Sequence, residues 1–325
     1  MALSTVGQTG AVTARRTVEA QLRGRRFDPA GILLKLALAL GIGLAILSLI
    51  VLLIDVVVPG VAHLSERGWW GFVSEGDTTR AGSTGVFKAL RGTFWIGVFV
   101  ICLAFPIGIG AAIYLEEYAK KGSKLSSFIE LNIRNLAGVP SVVYGILGLF
   151  VFVEFFDGFA GDAAVHRGRT VMAAGATLAV LVLPIIIITA SEALRAVPQA
   201  LREAGYGVGA TQWEVTRHHV LPYAAPGILT GTLLSLARAL GEAAPLIVVG
   251  GVLGSPGSRA GLFDLSQLGE GFTAMPLEIA RLTQKGTIGS WSDAASAAIV
   301  ILLIVVLAAN AVAIFARGYF EKKRG

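Results

Sequence analysis

The chain is 325 residues long, with 54% hydrophobic and only 15% charged residues, and its mean hydropathy is +0.73. Soluble domains carry about 25% charged residues, so this composition excludes an ordinary water-soluble enzyme, and its hydrophobicity excludes a disordered chain. The 27 basic residues outnumber the 21 acidic ones, an excess that fits the cytoplasmic loops of a membrane protein better than a nucleic-acid-binding surface.

In chain order, the first feature is a basic tail, residues 1–30, holding Arg15, Arg16, Arg23, Arg25 and Arg26. It reads as a cytoplasmic segment lying on anionic lipid. A bilayer-crossing helix needs about 20 mostly apolar residues. Runs free of Asp, Glu, Lys and Arg predict six spans: Leu36–Ile54, Gly92–Leu115, Asn135–Val153, Thr170–Ser191, His218–Ala237 and Ala294–Ala316. The first run exceeds a signal-peptide core, and no small-residue cleavage site follows Asp55, so it reads as an anchor. The fifth is expected to continue past Arg238 and Glu242 toward Val252. The expected organisation is a tail over 1–30, a six-span domain over 31–317 with a cytoplasmic loop at 192–222, and a second cytoplasmic tail over 318–325. The expected fold class is an all-α integral membrane protein.

Six spans place both termini on one side. Segments 1–35, 116–134, 192–217 and 317–325 hold 17 Lys and Arg in 89 positions, whereas 59–91, 154–169 and 251–293 hold 9 in 92. The basic excess marks the first set, and hence both termini, as cytoplasmic. Trp69, Trp70 and Trp291 in the outer segments fit an aromatic belt. Gly108, Gly110 and Gly145 are expected to let helices approach closely.

Motifs for chemistry are missing. There is no GxxxxGK[ST] phosphate loop, no HExxH and no CxxC. His63, His166, His218 and His219 form no metal-ligand pattern, and Cys102 is the only cysteine. The chain is therefore not expected to be an enzyme or to hold a cofactor or metal, and any nucleotide chemistry would lie on another chain.

The 192–222 loop is the most informative stretch. Pro198 suits a helix start. Gln199–Tyr206 are good helix formers, and Gly205, Gly207 and Gly209 are expected to break the pattern and permit positive φ. A second helix is expected to resume at Ala210 and to lead into the membrane at Leu221-Pro222. With Leu201, Tyr206 and Trp213 available, a short helix projecting from a bilayer is a good docking element for another protein.

The order Glu203-Ala204-Gly205, three residues, Gly209, nine residues, His219-Val-Leu221-Pro222 resembles the EAA loop of binding-protein-dependent ABC importer permeases. Gly205 stands where that family usually has a second Ala, and His219 where it has Ile or Val. The resemblance implies that Glu203, Ala204, Gly209, Leu221 and Pro222 belong to a coupling element seated on an ATPase subunit. Tyr114-Leu-Glu-Glu-Tyr118, Asn135-Leu-Ala-Gly-Val-Pro140-Ser-Val-Val-Tyr144-Gly145 and Leu236-Ala-Arg238-Ala-Leu-Gly241-Glu242-Ala-Ala-Pro245-Leu are similar to the phosphate-specific (Pst) permeases. The Ala-Pro-Leu ending favours the PstA type, and Ala243 replaces a usual Thr. The resemblance runs from about Gly92 to the C-terminus. It implies a bacterial inner-membrane subunit that forms half of a translocation path. Its partners would be a PstC-like permease, a PstB-like ATPase dimer carrying ATP and Mg, and a periplasmic PstS-like phosphate-binding protein.

Arg238 lies about 16 residues into the fifth span. At about 1.5 Å per residue this is near mid-bilayer, where insertion costs ~2.5–3.5 kcal/mol. Glu242, four residues on, is expected to share its helix face and to neutralise it inside the bundle. Two roles fit: an ion pair that fixes packing, or an anion step in which the guanidinium holds phosphate oxygens and Glu242 competes for it during release. Gly241 and Pro245 are candidates for a hinge or kink, or are simply tolerated there. Rival readings keep the mechanism with molybdate, tungstate or sulfate as cargo, replace it with a self-sufficient channel or secondary carrier, or make the chain a non-transporting membrane subunit.

Overall fold

The computed structural model describes residues 29–76, 81–120, 122–158, 168–251, 261, 263, 268, 271–286 and 290–322. The basic tail up to residue 28, His166 and most of the 252–270 segment lie outside these residues. The chain divides into two units, Met1–Asp55 and Val56–Gly325. In the first, the described residues are the opening of helix α1 (Pro29–Arg67). Their Leu and Ile side chains are exposed from Ile32 to Ile54.

The second unit contains the end of α1 and then α2 (Trp69–Ser74), α3 (Phe87–Ile113) and α4 (Lys124–Ala137). Next come α5 (Ser141–Leu147), α6 (Glu154–Asp157), α7 (Val171–Arg195), α8 (Gln199–Gly207) and α9 (Gln212–Val215). The last are α10 (Leu221–Gly241), α11 (Ala244–Val249), α12 (Met275–Lys285) and α13 (Ser290–Lys322). Turns of π-helix at Tyr114–Tyr118, Gly148–Val153 and Thr216–Val220 extend α3, join α5 to α6, and join α9 to α10. Among the described residues there is no strand, only an isolated antiparallel bridge between Thr170 and Gly271. Among the described residues five helices are long and apolar enough to cross a membrane, and the bent pair α4 with α5–α6 would make a sixth if it counts as one span.

Helix α7 is the centre, with most of its residues between Val171 and Leu194 buried. Its first half, Val-Met-Ala-Ala-Gly-Ala-Thr, is built of small residues, so α3 comes very close. A Cβ on Gly175 would lie 2.7 Å from the Phe99 ring, and one on Gly108 would lie 2.6 Å from Ile186. Helices in lipid associate through such close packing, because lipid tails are as apolar as the side chains. On other sides of the helix, Thr177 faces Gly148 and Thr189 faces Gly231, and their hydroxyls bond back to the Ala173 and Ile185 carbonyls. Gly110, expected to be a third close contact, instead faces open space.

Two spans differ from the sequence expectation. The third does not run straight through Asn135–Val153: α4 stops at Ala137, and α5 sets off at 103° to it. Pro140 explains the break, because the residue before a proline is pushed out of the α region and the ring supplies no N–H. The fifth does not continue toward Val252. Helix α10 ends at Gly241, Glu242 is extended (φ −80, ψ 116), and α11 starts at Ala244. A continuous helix would drive the Pro245 ring into the Gly241 carbonyl. Pro106 and Pro184 sit inside unbroken α3 and α7. The two broken segments meet: a Cβ on Gly145 of α5 would lie 2.8 Å from Pro245 Cα on α11.

At the opposite end of α3 from Tyr114–Tyr118, α12 closes a second core of Leu64, Phe72, Val86, Met275 and Leu282. There the Met275 amide donates to Thr93 Oγ1 at 2.8 Å. Glu278 and Arg281 form a buried ion pair on α12. Exposed Trp70 fits the expected belt, whereas Trp291 packs under Lys285 with the ammonium 4.4 Å from the ring centre.

Replacing Gly145 by Leu should overpack the α5–α11 contact and cost about 1–3 kcal/mol. Thermal unfolding of the purified protein in detergent should show a clearly lower Tm, while Gly110→Leu should leave it unchanged.

Candidate functional site: an exposed loop and a membrane-level ion pair

The 192–222 loop folds into two short helices with one sharp turn. Helix α8 closes with the Gly209 amide donating to the Tyr206 carbonyl at 3.0 Å and the Ala210 amide to the Gly205 carbonyl at 3.2 Å. Gly209 has φ +85, a left-handed conformation that costs other L-residues about 1–2 kcal/mol. Helix α9 then starts on a capping box. The Thr211 hydroxyl accepts from the Glu214 amide, and the Glu214 carboxylate accepts from the Thr211 amide at 2.8 Å. Of the three glycines expected to break the pattern, only Gly209 does so; Gly205 and Gly207 are helical, and the second helix begins at Gln212 rather than Ala210.

Gly205 has a different reason to be glycine. A Cβ there would lie 2.7 Å from the fully buried Val215 side chain, so the residue that departs from the EAA pattern is where α8 rests on α9. The second helix enters the membrane segment through the π-turn Thr216–Val220, where the Leu221 amide reaches back to the Thr216 carbonyl. This wider turn lies directly before Pro222, which has no N–H for the turn behind it.

The loop has two faces. Outward lie Glu203, Ala204, Tyr206 (44% exposed), Val208 (85%), Gly209 and Trp213 (54%). Inward, Leu201, Val215 and Leu221 pack against Leu194, Val197 and Val220. Polar contacts tie the same side to the span ends. Arg202 donates to both oxygens of Glu117, at 2.7 and 3.3 Å, and to the Val197 and Leu194 carbonyls at 2.8 and 3.0 Å. The Glu117 and Arg202 side chains are only 4% and 13% exposed. Arg195, the last residue of α7, reaches Glu116 at 2.7 Å and Glu130 of α4 at 3.2 Å. The Gln212 side-chain amide Nε2 donates to the Glu117 carbonyl. Removing one partner of a buried pair typically costs about 3–5 kcal/mol, because the other charge is stranded.

Sequence reasoning missed this network. Its signal was present: two adjacent carboxylates closing an apolar run, and two arginines flanking Pro198 in the next loop on that side.

Arg238 and Glu242 do form a pair, with Nε to Oε1 at 3.4 Å. They do not share one helix. Arg238 lies in the last turn of α10, where a cation suits the carbonyl end of the helix dipole, and Glu242 is the first residue beyond it. The Arg238 side chain is 55% exposed, whereas that of Glu242 is 21% exposed. The helix break thus turns the expected buried pair into one that opens to the surface on its Arg238 side. Gly241 has no atom close enough to restrict a side chain there, while Pro245 is buried against Gly145. Among the described residues no group of His, Cys, Asp or Glu could hold a metal ion.

These features define a multi-pass helical membrane protein with a loop presented for contact. The family model "Binding-protein-dependent transport system inner membrane component" matches residues 104–325, and the chain belongs to that family. It is 35% identical over 207 residues to the phosphate transport system permease protein PstA 1 of Mycobacterium tuberculosis, covering 64% of each chain. It is 34% identical over 223 residues to the phosphate transport system permease protein PstA of Mycobacterium leprae, covering 68% of each. The matched region thus spans somewhat under two thirds of the length of the M. tuberculosis relative. In fold it is similar to a chain of a bacterial alginate ABC transporter, with TM-score 0.57 and 17% identity, covering 86% of this chain and 95% of that one.

Replacing Gly209 by Val should cost about 1–2 kcal/mol through the left-handed backbone. Hydrogen exchange should then be faster across residues 206–216, with the amides of α7 unaffected.

Proposed function

We propose that this chain is the PstA-like permease subunit of an ATP-driven inorganic phosphate importer in the bacterial cytoplasmic membrane. One observation carries the reading: a rigidly held loop turns an aromatic and apolar face, with Glu203 and Gly209 in it, away from the membrane bundle. A permease that hydrolyses nothing itself needs such a surface to receive work from an ATPase. Glu203 has no hydrogen-bond or ion-pair partner among the described residues, which leaves its charge available to a partner chain. The mycobacterial PstA relatives support phosphate as the cargo.

In this reading the chain forms half of the translocation path. A PstC-like permease supplies the other half, a PstB-like ATPase dimer binds ATP and Mg, and a periplasmic PstS-like protein delivers phosphate. Both termini are cytoplasmic, residues 31–317 are the permease domain, and the flanking tails lie on the cytoplasmic face. Glu203, Ala204, Gly209, Leu221 and Pro222 couple to the ATPase. The open face that carries Arg238 and Glu242 lines the path between the two permeases. Phosphate carries one to two charges and does not cross hydrocarbon uncompensated. Arg238 offers it a permanent charge with paired donors. Glu242, 3.4 Å away, takes the guanidinium back and prevents the anion from being held too tightly. Gly241 and Pro245 break the helix beside the pair, so that irregular backbone lines the path rather than meeting lipid.

Labelled-phosphate uptake in a strain lacking only this gene tests the reading, with molybdate and sulfate as competitors. Wild type should restore phosphate-selective uptake. Arg238→Ala and Gly209→Asp should each reduce it at least about tenfold, the scale of one lost charge-assisted contact, while still reaching the membrane. Uptake that is full with Arg238→Ala makes the pair structural. Restoration of molybdate or sulfate uptake in place of phosphate reassigns the cargo.

A further inference from the structure

The inward side of the loop holds a constellation that neither docking nor the anion path uses. Glu116 and Glu117 are adjacent on the π-turn that ends α3. Neighbouring residues on a helix point in different directions, and these two take different arginines. Glu116 takes Arg195 at the end of α7, and Glu117 takes Arg202 on α8. Only three residues, Ala196 to Pro198, join those two helices. Arg202 spans that joint as well, because it donates to the carbonyls of Leu194 and Val197 on the near side while holding Glu117. Nε, Nη1 and Nη2 are all engaged, an arrangement a lysine cannot reproduce. The pair is partly buried, with side chains 4% and 13% exposed beside a polar cavity, so salt screens it less than a fully exposed pair.

A pair that served only to fill a core could lie anywhere along the bundle. This one sits at Ala196–Pro198, one of the two ends by which the exposed loop joins the spans, and it closes that joint. We propose that Arg202 and Glu117 are positioning residues that lock α8 to the π-turn of α3, so that the loop and the end of the second span move as one rigid body. Force applied to the exposed face is then delivered to α3 instead of being absorbed at Ala196–Pro198. The inference rests on the reading of the 199–216 loop as the ATPase contact.

The test uses the whole transporter, with partner permease, ATPase and phosphate-binding protein, in proteoliposomes. Phosphate import and ATP hydrolysis are measured together. In a Cys102→Ser parent, which removes the exposed native thiol, Glu117→Cys and Arg202→Cys are combined. Import is compared before and after closure with a short, reducible thiol cross-linker. Opened, the double variant should hydrolyse ATP yet import phosphate poorly, so that ATP consumed per phosphate rises by about tenfold, within the usual range of coupling energies between sites. Cross-linked, it should recover most of the parental ratio and lose it again on reduction. A parental ratio in the opened form overturns the proposal, and so does a cross-linked form that stays uncoupled.

If the double variant does not assemble, Arg202→Lys keeps the charge and removes the fork. A raised ATP-to-phosphate ratio supports the lock, whereas equal losses of hydrolysis and import mean a purely structural pair. Co-purification of the ATPase with the parent is the control for the loop assignment. A parent that binds no ATPase sinks the coupling reading, while a docked ATPase with an unaltered ratio sinks only the lock.

Discussion

The close approach of α3 to α7 is the constraint on which the rest of this molecule depends. Two apolar helices gain nothing from leaving lipid for one another unless their surfaces fit. Gly108 under Ile186 and Gly175 under Phe99 supply that fit. Once the two helices are joined, the π-turn at the end of α3 comes to lie beside the end of α7. Glu116 and Glu117 are thereby set within reach of Arg195 and Arg202. The charge network at the loop is thus a consequence of small residues packed farther along the same two helices.

The same logic accounts for the two broken spans. Backbone that leaves helical geometry inside a membrane protein must be covered by protein or line a cavity. The break at Gly138–Pro140 and the break at Glu242–Ala243 lead into short helices that pack on each other, with Gly145 against Pro245. Arg238 and Glu242 sit at the edge of this region on an open face.

Burial separates the two charged clusters. Glu117 and Arg202 are largely covered and in multi-point contact, and Arg202 is also fixed to backbone carbonyls. Arg238 and Glu242 are joined by one longer contact and are more accessible.

Much of this was legible in the sequence. Charge-free runs located the membrane segments because each must satisfy its own backbone and cover its own length in lipid, a local requirement. The two-helix form of the 192–222 loop and its turn at Gly209 followed from local turn chemistry. The pairing of Arg238 with Glu242 followed from a four-residue spacing that survives the end of the helix. The break at Pro245 was present in the sequence as a proline, but its outcome depended on whether the chain beyond it found a surface, which Gly145 provides. Only the tertiary structure decided which face the ion pair occupies and which of two adjacent glutamates meets which arginine. It also decided why Gly205 is a glycine at all. Those answers depend on residues up to 85 positions apart, and no periodicity along a single helix carries information about what another helix will place beside it.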